Sequence, residues 1–169
     1  NRAQGGRLHH LVQDEDALRV VTALTLLTPF TPMLFMGDEF LTPAPFLFFT
    51  DFTGDLAEAV RTGRAREFAR FSAFTGDVPD PNARETAARS RVGHARTDAQ
   101  LRHEAYVRDL LALRAEHVQP LLARNARPSV SVKRDGAQFE ACWSFGPGRL
   151  LLNVSLGDGE VRPLLDPFF

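Results

Sequence analysis

Thr31-Pro32-Met33-Leu34-Phe35-Met36-Gly37-Asp38-Glu39-Phe40 is the stretch on which the fold turns. Met33–Met36 is wholly apolar and does not alternate, which predicts a strand covered on both faces, the habit of parallel sheets. Gly37 ends the run. Asp38 and Glu39 follow just past its C-terminal end, the end that faces ligands in parallel α/β folds. Upstream, Asp14-Glu15-Asp16 puts acids where the free N–H groups and dipole of a helix start favour them. From Ala17 to Leu27 the apolar positions nearly encircle the predicted helix, so it is expected to be buried on most sides. Pro29 and Pro32 stop it. Helix, tight turn and buried strand together predict an α/β unit. The first thirteen residues, with Gly5-Gly6, read as loop.

Downstream lies a loop unusually rich in Pro and Phe, Thr42-Pro43-Ala44-Pro45-Phe46-Leu47-Phe48-Phe49-Thr50-Asp51-Phe52. Solvent loops are normally polar, so this one is expected to pack on the body of the protein or to line a site. Two helical stretches are predicted, about Leu56–Arg61 and Ala65–Phe74. Arg61, Arg64, Arg66 and Arg70, interleaved with Glu58 and Glu67, read as a solvated helix face. Asp77-Val78-Pro79-Asp80-Pro81 is an irregular connector. Tyr106, Leu110 and Leu113 recur at helical spacing inside a long amphipathic helix, roughly Ala99–Val118. Pro120 and Pro128 mark its end and a boundary. The period then changes to two: Val130 and Val132, the Asp135-Gly136 hairpin turn, then Phe139, Ala141, Trp143 and Phe145. Further turns at Gly146-Pro147-Gly148 and Gly157-Asp158-Gly159 flank Leu150–Val154, which predicts an antiparallel sheet of three or four strands.

With 169 residues the chain is too short for a complete (β/α)8 barrel, which usually needs about 250. Twenty basic and 21 acidic side chains leave a net charge of −1, without the cationic excess a nucleic-acid surface needs. Lys133 is the only lysine and Cys142 the only cysteine, so no intrachain disulfide forms and a reducing, cytoplasmic setting is permitted. No apolar run reaches the ~18 residues of a membrane span. Asn1 is not an initiator methionine, so targeting is not read from this end.

His9, His10, His94, His103 and His117 fall in no metal-ligand spacing, and no phosphate-cradling glycine loop, nucleophile elbow or catalytic-cysteine signature occurs. No metal or cofactor is expected. The carboxylates are more informative. Glu39 follows the apolar run, and Asp51 follows Phe48-Phe49. Carboxylates accept hydroxyl hydrogen bonds and aromatic rings stack on the apolar faces of pyranoses, so this pairing suits a sugar site. The plainer readings stay open: Glu39 ties down its loop through backbone N–H groups or an arginine, and the phenylalanines are ordinary core.

Three stretches in order, Asn1-Arg2-Ala3-Gln4-Gly5-Gly6-Arg7-Leu8, Thr31–Phe40 and Pro45-Phe46-Leu47-Phe48-Phe49-Thr50-Asp51, resemble the α-amylase superfamily. Within it they are most similar to the maltooligosyltrehalose trehalohydrolase family. Gly37-Asp38-Glu39 after an apolar strand is general to the superfamily and resembles the end of barrel strand eight. The Phe-Phe-Thr-Asp segment is much narrower, as are Leu56–Phe68 and Val78-Pro79-Asp80-Pro81. Tyr106–Arg114 matches a commoner pattern that precedes the C-terminal β domain. The chain departs from the family at Ala88-Arg89-Ser90-Arg91-Val92-Gly93-His94, where two aromatic anchors are missing.

The resemblance implies the C-terminal part of a (β/α)8 barrel over 1–122, and an antiparallel β-sandwich-type domain over 128–169, open to truncation at Phe169. It implies retaining glycosidase chemistry by two carboxyls about 5–5.5 Å apart, with the α-1,4 bond next to the trehalose end of maltooligosyltrehalose cleaved. The family's catalytic carboxyls would lie upstream of residue 1, so none is carried onto this chain, and the chain alone is expected to be inactive. Arg2, Glu39, Phe48, Phe49 and Asp51 are the candidates for lining or supporting the substrate site. The expected partners are maltooligosyltrehalose or a related α-glucan and the missing N-terminal part of the same enzyme, with neither nucleic acid nor membrane. The alternatives are another α-1,4-glucan-active enzyme, a branching enzyme or amylase, and a non-catalytic carbohydrate-binding module.

Overall fold

The computed structural model describes residues 6–69, 78–123, 127–146 and 148–155. The chain forms two compact units that interleave in sequence. The first takes Asn1–Leu11 and Met36–Gln100, the second Val12–Phe35 and Leu101–Phe169.

In the first unit a short helix α1 (Leu8–Leu11) stands where a loop was expected. A single 3-10 turn, Asp38–Phe40, follows Gly37. Helix α3 (Gly54–Ala69) is continuous where two stretches were predicted. Gly63 sits inside it without breaking it, because one helical glycine costs only about 1 kcal/mol relative to alanine. Residues 70–74 and Arg70 lie outside the described residues. Arg64 and Phe68, one turn apart, are the positions of α3 that bury. Arg64 therefore does not belong to the solvated face predicted for it, whereas Arg61 and Arg66 are exposed. Its guanidinium lies 4.5 Å from the ring centre of Phe48 and 4.7 Å from that of Phe68, and ring faces accept a cation that has lost its water. Phe40, Thr42, Leu47 and Pro81 are among the buried residues of this unit.

The segment from 83 to 97 is held by hydrogen bonds and a stacked guanidinium. Helix α4 (Arg84–Arg89) starts with the Thr86 hydroxyl donating to the Asp80 carbonyl at 2.6 Å. The Ser90 hydroxyl donates to the Thr86 carbonyl and accepts the Leu47 N–H at 3.1 Å. Further along, the Arg96 guanidinium stacks on Phe40, 3.2 Å from its ring centre.

In the second unit, helix α2 (Glu15–Leu27) begins as the sequence predicts, with the Asp14 carboxylate accepting the Ala17 N–H at 2.7 Å. Only Leu18, Val20 and Leu26 of its apolar girdle are buried, and the rest are half-covered. Helix α5 (Asp98–Leu113) runs on through a π-helical stretch, Arg114–Val118, into α6 (Gln119–Leu122). Pro120 does not end the path, because it sits in the first turn of α6, where a missing N–H is harmless. Leu26, Val107 and Leu110 form a core, flanked by Ala23, Leu27 and Tyr106.

Strands β1 (Ser129–Asp135), β2 (Gln138–Phe145) and β3 (Gly148–Ser155) form an antiparallel meander in the order β1-β2-β3. The register pairs Val132 with Ala141 and Ala141 with Leu152, so the predicted alternation puts Phe139, Ala141, Trp143 and Phe145 on one face. Ala141, Trp143 and Phe145 bury against Leu121, Leu122, Leu150 and Leu152. Lys133 faces Glu140 across the strands at 3.7 Å. The third turn, at residues 157–159, lies outside the described residues.

One expectation needs correction. Met33–Met36 is not a buried strand: Met33 is 82% exposed, Met36 51%, and no ladder hydrogen bond holds them. A strand needs a neighbour to take its N–H and C=O groups, and none of the described residues provides one. The described residues before Arg124 hold helices and loops but no strand, and the meander is a single layer among the described residues.

Candidate functional site

Of the predicted site residues, Glu39, Phe48, Phe49 and Asp51 are described, and they fall on two loops of the first unit. The first is the Gly37–Thr42 turn. Gly37 has φ +90°, and a Cβ there would collide with the Thr42 side chain. Only glycine fits both demands. The Gly37 carbonyl accepts the Thr42 N–H at 2.9 Å, and the Glu39 carboxylate accepts the Gly37 N–H at 2.8 Å. Among the described residues that is the contact Glu39 makes, and it agrees with the plainer reading, a carboxylate fastening its own loop.

Asp38 is held differently. Arg7, 4% exposed, donates Nη1 to the Asp38 carboxylate at 2.9 Å and to the Met36 carbonyl at 2.8 Å, and Nε to the Ala44 carbonyl at 3.0 Å. The buried arginine thus clamps the turn at three points. No periodicity or spacing marks Arg7 for that role in the sequence. Nearby, the Arg7 N–H donates to His10 Nδ1, and His9 is held below its ordinary pKa by burial, then by His10 and Arg7. A shallow cleft of about 410 Å³ beside this turn is lined by Phe40, Thr42, Ala44, Arg91 and Gln100, among others. None of the predicted site residues that are described lines it.

The second loop carries Phe48, Phe49 and Asp51. Its backbone is tied down from below. Leu47 is 1% exposed and bonded to Ser90. The Thr50 N–H donates to the Pro81 carbonyl at 2.7 Å. Asn82 Oδ1 accepts from the Thr50 hydroxyl at 2.8 Å and from the Phe52 N–H at 3.2 Å, while Nδ2 donates to the Ala57 carbonyl. The outward side chains remain in water: Phe48 is 39% exposed, Phe49 42% and Phe52 42%. Phe49 meets Phe46 with ring centres 6.1 Å apart. Asp51 is exposed and has no ion-pair or hydrogen-bond partner among the described residues. The phenylalanines are therefore only partly core. No hydrogen bond or ion pair among the described residues joins Glu39 to this loop. Arg2 lies outside the described residues.

Sequence reading missed Asn82 and Arg64. Asn82 follows the Val78–Pro81 connector, and Asn after Pro is a turn signal, yet nothing local shows that its amide serves a loop thirty residues away. The described residues contain no group of three or more His, Cys, Asp or Glu placed to hold a metal, and no described helix is long and apolar enough to cross a membrane.

No family model matches the chain. Curated relatives do. A malto-oligosyltrehalose trehalohydrolase of Deinococcus radiodurans is 38% identical over 161 residues, 93% of this chain and 26% of that protein. The enzyme of the same name from Arthrobacter ramosus is 37% identical over 95% of this chain and 27% of its own length. Among solved structures, an alpha amylase candidate from Salmonella typhimurium superposes with a TM-score of 0.78 at 41% identity, covering 92% of this chain and 27% of that one. Fold and sequence together put the chain in the alpha-amylase class of proteins. Within that class it belongs to the malto-oligosyltrehalose trehalohydrolase family, as the counterpart of its members' C-terminal part. The chain spans about a quarter of the length of the curated relatives it matches.

Proposed function

We propose that this sequence is part of a retaining glycoside hydrolase that cleaves the α-1,4 bond next to the trehalose end of maltooligosyltrehalose and releases trehalose. The observation that carries the reading is the likeness of nearly the whole chain to enzymes of that name. The narrow Phe-Phe-Thr-Asp segment supports trehalohydrolase over a branching enzyme or a plain amylase. In this reading 1–122 is the C-terminal portion of a (β/α)8 barrel and 128–169 a β domain. The two carboxyls of the reaction lie on the part of the enzyme upstream of Asn1. In this reading the chain lines or supports the α-glucan site through Arg2, Glu39, Phe48, Phe49 and Asp51. It needs no cofactor and works in the cytoplasm.

The test is hydrolysis of maltooligosyltrehalose against plain maltooligosaccharide of equal length by the enzyme that carries this sequence. Faster trehalose release from the first is expected; equal rates sink the assignment. The 169-residue chain alone is expected to release none, and trehalose release by the purified chain overturns that statement. The exposed phenylalanines favour one second reading, a carbohydrate-binding module without catalysis. It is separated from the first by an enzyme that binds maltotriose but hydrolyses neither substrate.

A further inference from the structure

We propose that His9 and His10 form an acid-sensitive latch on Arg7: uncharged, they keep its clamp on the turn between Met36 and Ala44 in place, and charged, they release it. The inference concerns the conformation of this segment and does not depend on the substrate assigned above. Every contact it uses lies within the first unit.

Arg7 and His10 are bonded in both directions. The Arg7 carbonyl accepts the His10 N–H at 3.1 Å, and His10 Nδ1 accepts the Arg7 N–H at 3.3 Å. This is the reciprocity of a capping box, with an imidazole in place of the usual glutamate or glutamine. An imidazole nitrogen accepts only while it carries no proton. Once His10 is protonated on both nitrogens, donor faces donor and the second bond is lost. Arg7 is also the residue whose backbone position matters most here. Its buried guanidinium reaches the Met36 carbonyl, the Asp38 carboxylate and the Ala44 carbonyl, so a shift of Arg7 is felt at three points of the turn.

His9 acts in the same direction. Its ring stands edge-on to that of His10, with centres 4.4 Å apart. Burial, then His10 and Arg7, hold it below its ordinary pKa, while Asp38 and a backbone hydrogen bond to Thr42 pull the other way and are outweighed. The charged side chains acting on it are Arg7, on its own segment, and Asp38, from the turn. That single carboxylate is already paired with Arg7 at 2.9 Å. Protonating both rings therefore sets two imidazoliums and a guanidinium against one another with one carboxylate among them. Below about pH 6.5 the released segment binds more protons than the latched one, so release grows as pH falls.

The experiment is amide hydrogen exchange on the enzyme that carries this sequence, near pH 7.5 and near pH 5, roughly on either side of the ordinary histidine pKa. Rates are divided by the intrinsic chemical rates at each pH and read on peptides covering Met36–Ala44. Peptides from Gln138–Phe145, a strand of the second unit without histidine, are the control. Protection of Met36–Ala44 is expected to fall about 5- to 10-fold at the lower pH, the size of one lost hydrogen bond with some charge repulsion, while the control holds. His10→Gln keeps an acceptor for the Arg7 N–H at either pH and should remove most of the fall. The double variant His9→Gln/His10→Gln should remove it all. Arg7→Met should leave the turn weakly protected at both pH values, and Asp38→Asn should keep the pH dependence. Protection that does not fall in the wild type overturns the latch. So does a fall that survives in the double variant, a fall abolished by Asp38→Asn alone, or an equal fall in the control strand, which would make the change a global one.

Discussion

Arg114 Nη1 lies 2.7 Å from the carbonyl oxygen of Leu26, and the same guanidinium reaches the carbonyls of Thr28 and Phe30, each at 2.7 Å. A 5%-exposed cation thus satisfies the end of α2 and the turn that leaves it, where the last carbonyls of a helix have no partner of their own.

Replacing Arg114 with methionine keeps much of the apolar stem but strands three acceptors. The expected loss is about 3 kcal/mol, since bonds to charged groups are among the stronger ones and a buried carbonyl left dry is costly. Arg114→Lys should lose less, because an ammonium keeps the charge but not the fork. Urea denaturation of the three proteins checks the order, and an unchanged midpoint for Arg114→Met would refute the clamp.

At Arg7 the partners separate by burial. Arg7→Met removes bonds to two carbonyls and to Asp38, and should cost about 2 kcal/mol. Asp38→Asn removes only the charge of a partner whose side chain is 36% exposed, and should cost under about 1 kcal/mol. If the two substitutions destabilise equally, the ion pair rather than the carbonyl clamp dominates, contrary to this account.

Gly37→Ala combines a left-handed backbone with a collision against Thr42. Together these should cost at least about 2 kcal/mol. Glycines with the same sign of φ but open space, such as Gly136, provide the control: Gly136→Ala should cost less, about 1–2 kcal/mol.

His103 is held below its ordinary pKa by burial and, next, by Arg19. Its folded pKa is therefore lower than its unfolded value of about 6.5. Between the two values the unfolded chain binds more protons, so stability rises with pH through that window and falls as pH drops below about 6.5. His103→Gln should flatten the slope without removing it, because His9 is shifted in the same direction. Melting temperature measured across pH 4.5–7.5, roughly spanning that window, reads the difference.

What could be read in advance follows from the range over which each signal acts. Alternation along Phe139–Phe145, the Asp135-Gly136 turn and the Asp14 cap act over a few residues, and all three stand in the structure as the sequence predicts. Met33–Met36 has the composition of a buried strand, but burial is a property of neighbours, and composition does not supply them. Arg64 looked solvated because a charge run on a helix usually is; the two rings that accept it come from the loop before α3 and from the next turn of α3 itself. Arg7, Asn82 and Arg114 act on carbonyls and loops far away in sequence, and nothing within a helix turn of any of them announces it. At the candidate site the aromatic loop was legible as a composition, whereas the amide and guanidinium that brace it were not.

The interleaving of the two units has a consequence for chain synthesis. As residues emerge in order, Met36–Gln100 can close on itself early, while α2 waits. Its terminal carbonyls are met only when Arg114 arrives, 88 residues after Leu26. Contacts closed over so long a loop form late and slowly. No single cut frees either unit intact, since each is assembled from two separated stretches. A ribosome pausing before residue 101 would leave Leu26 of α2 without Val107 and Leu110, the residues it packs against.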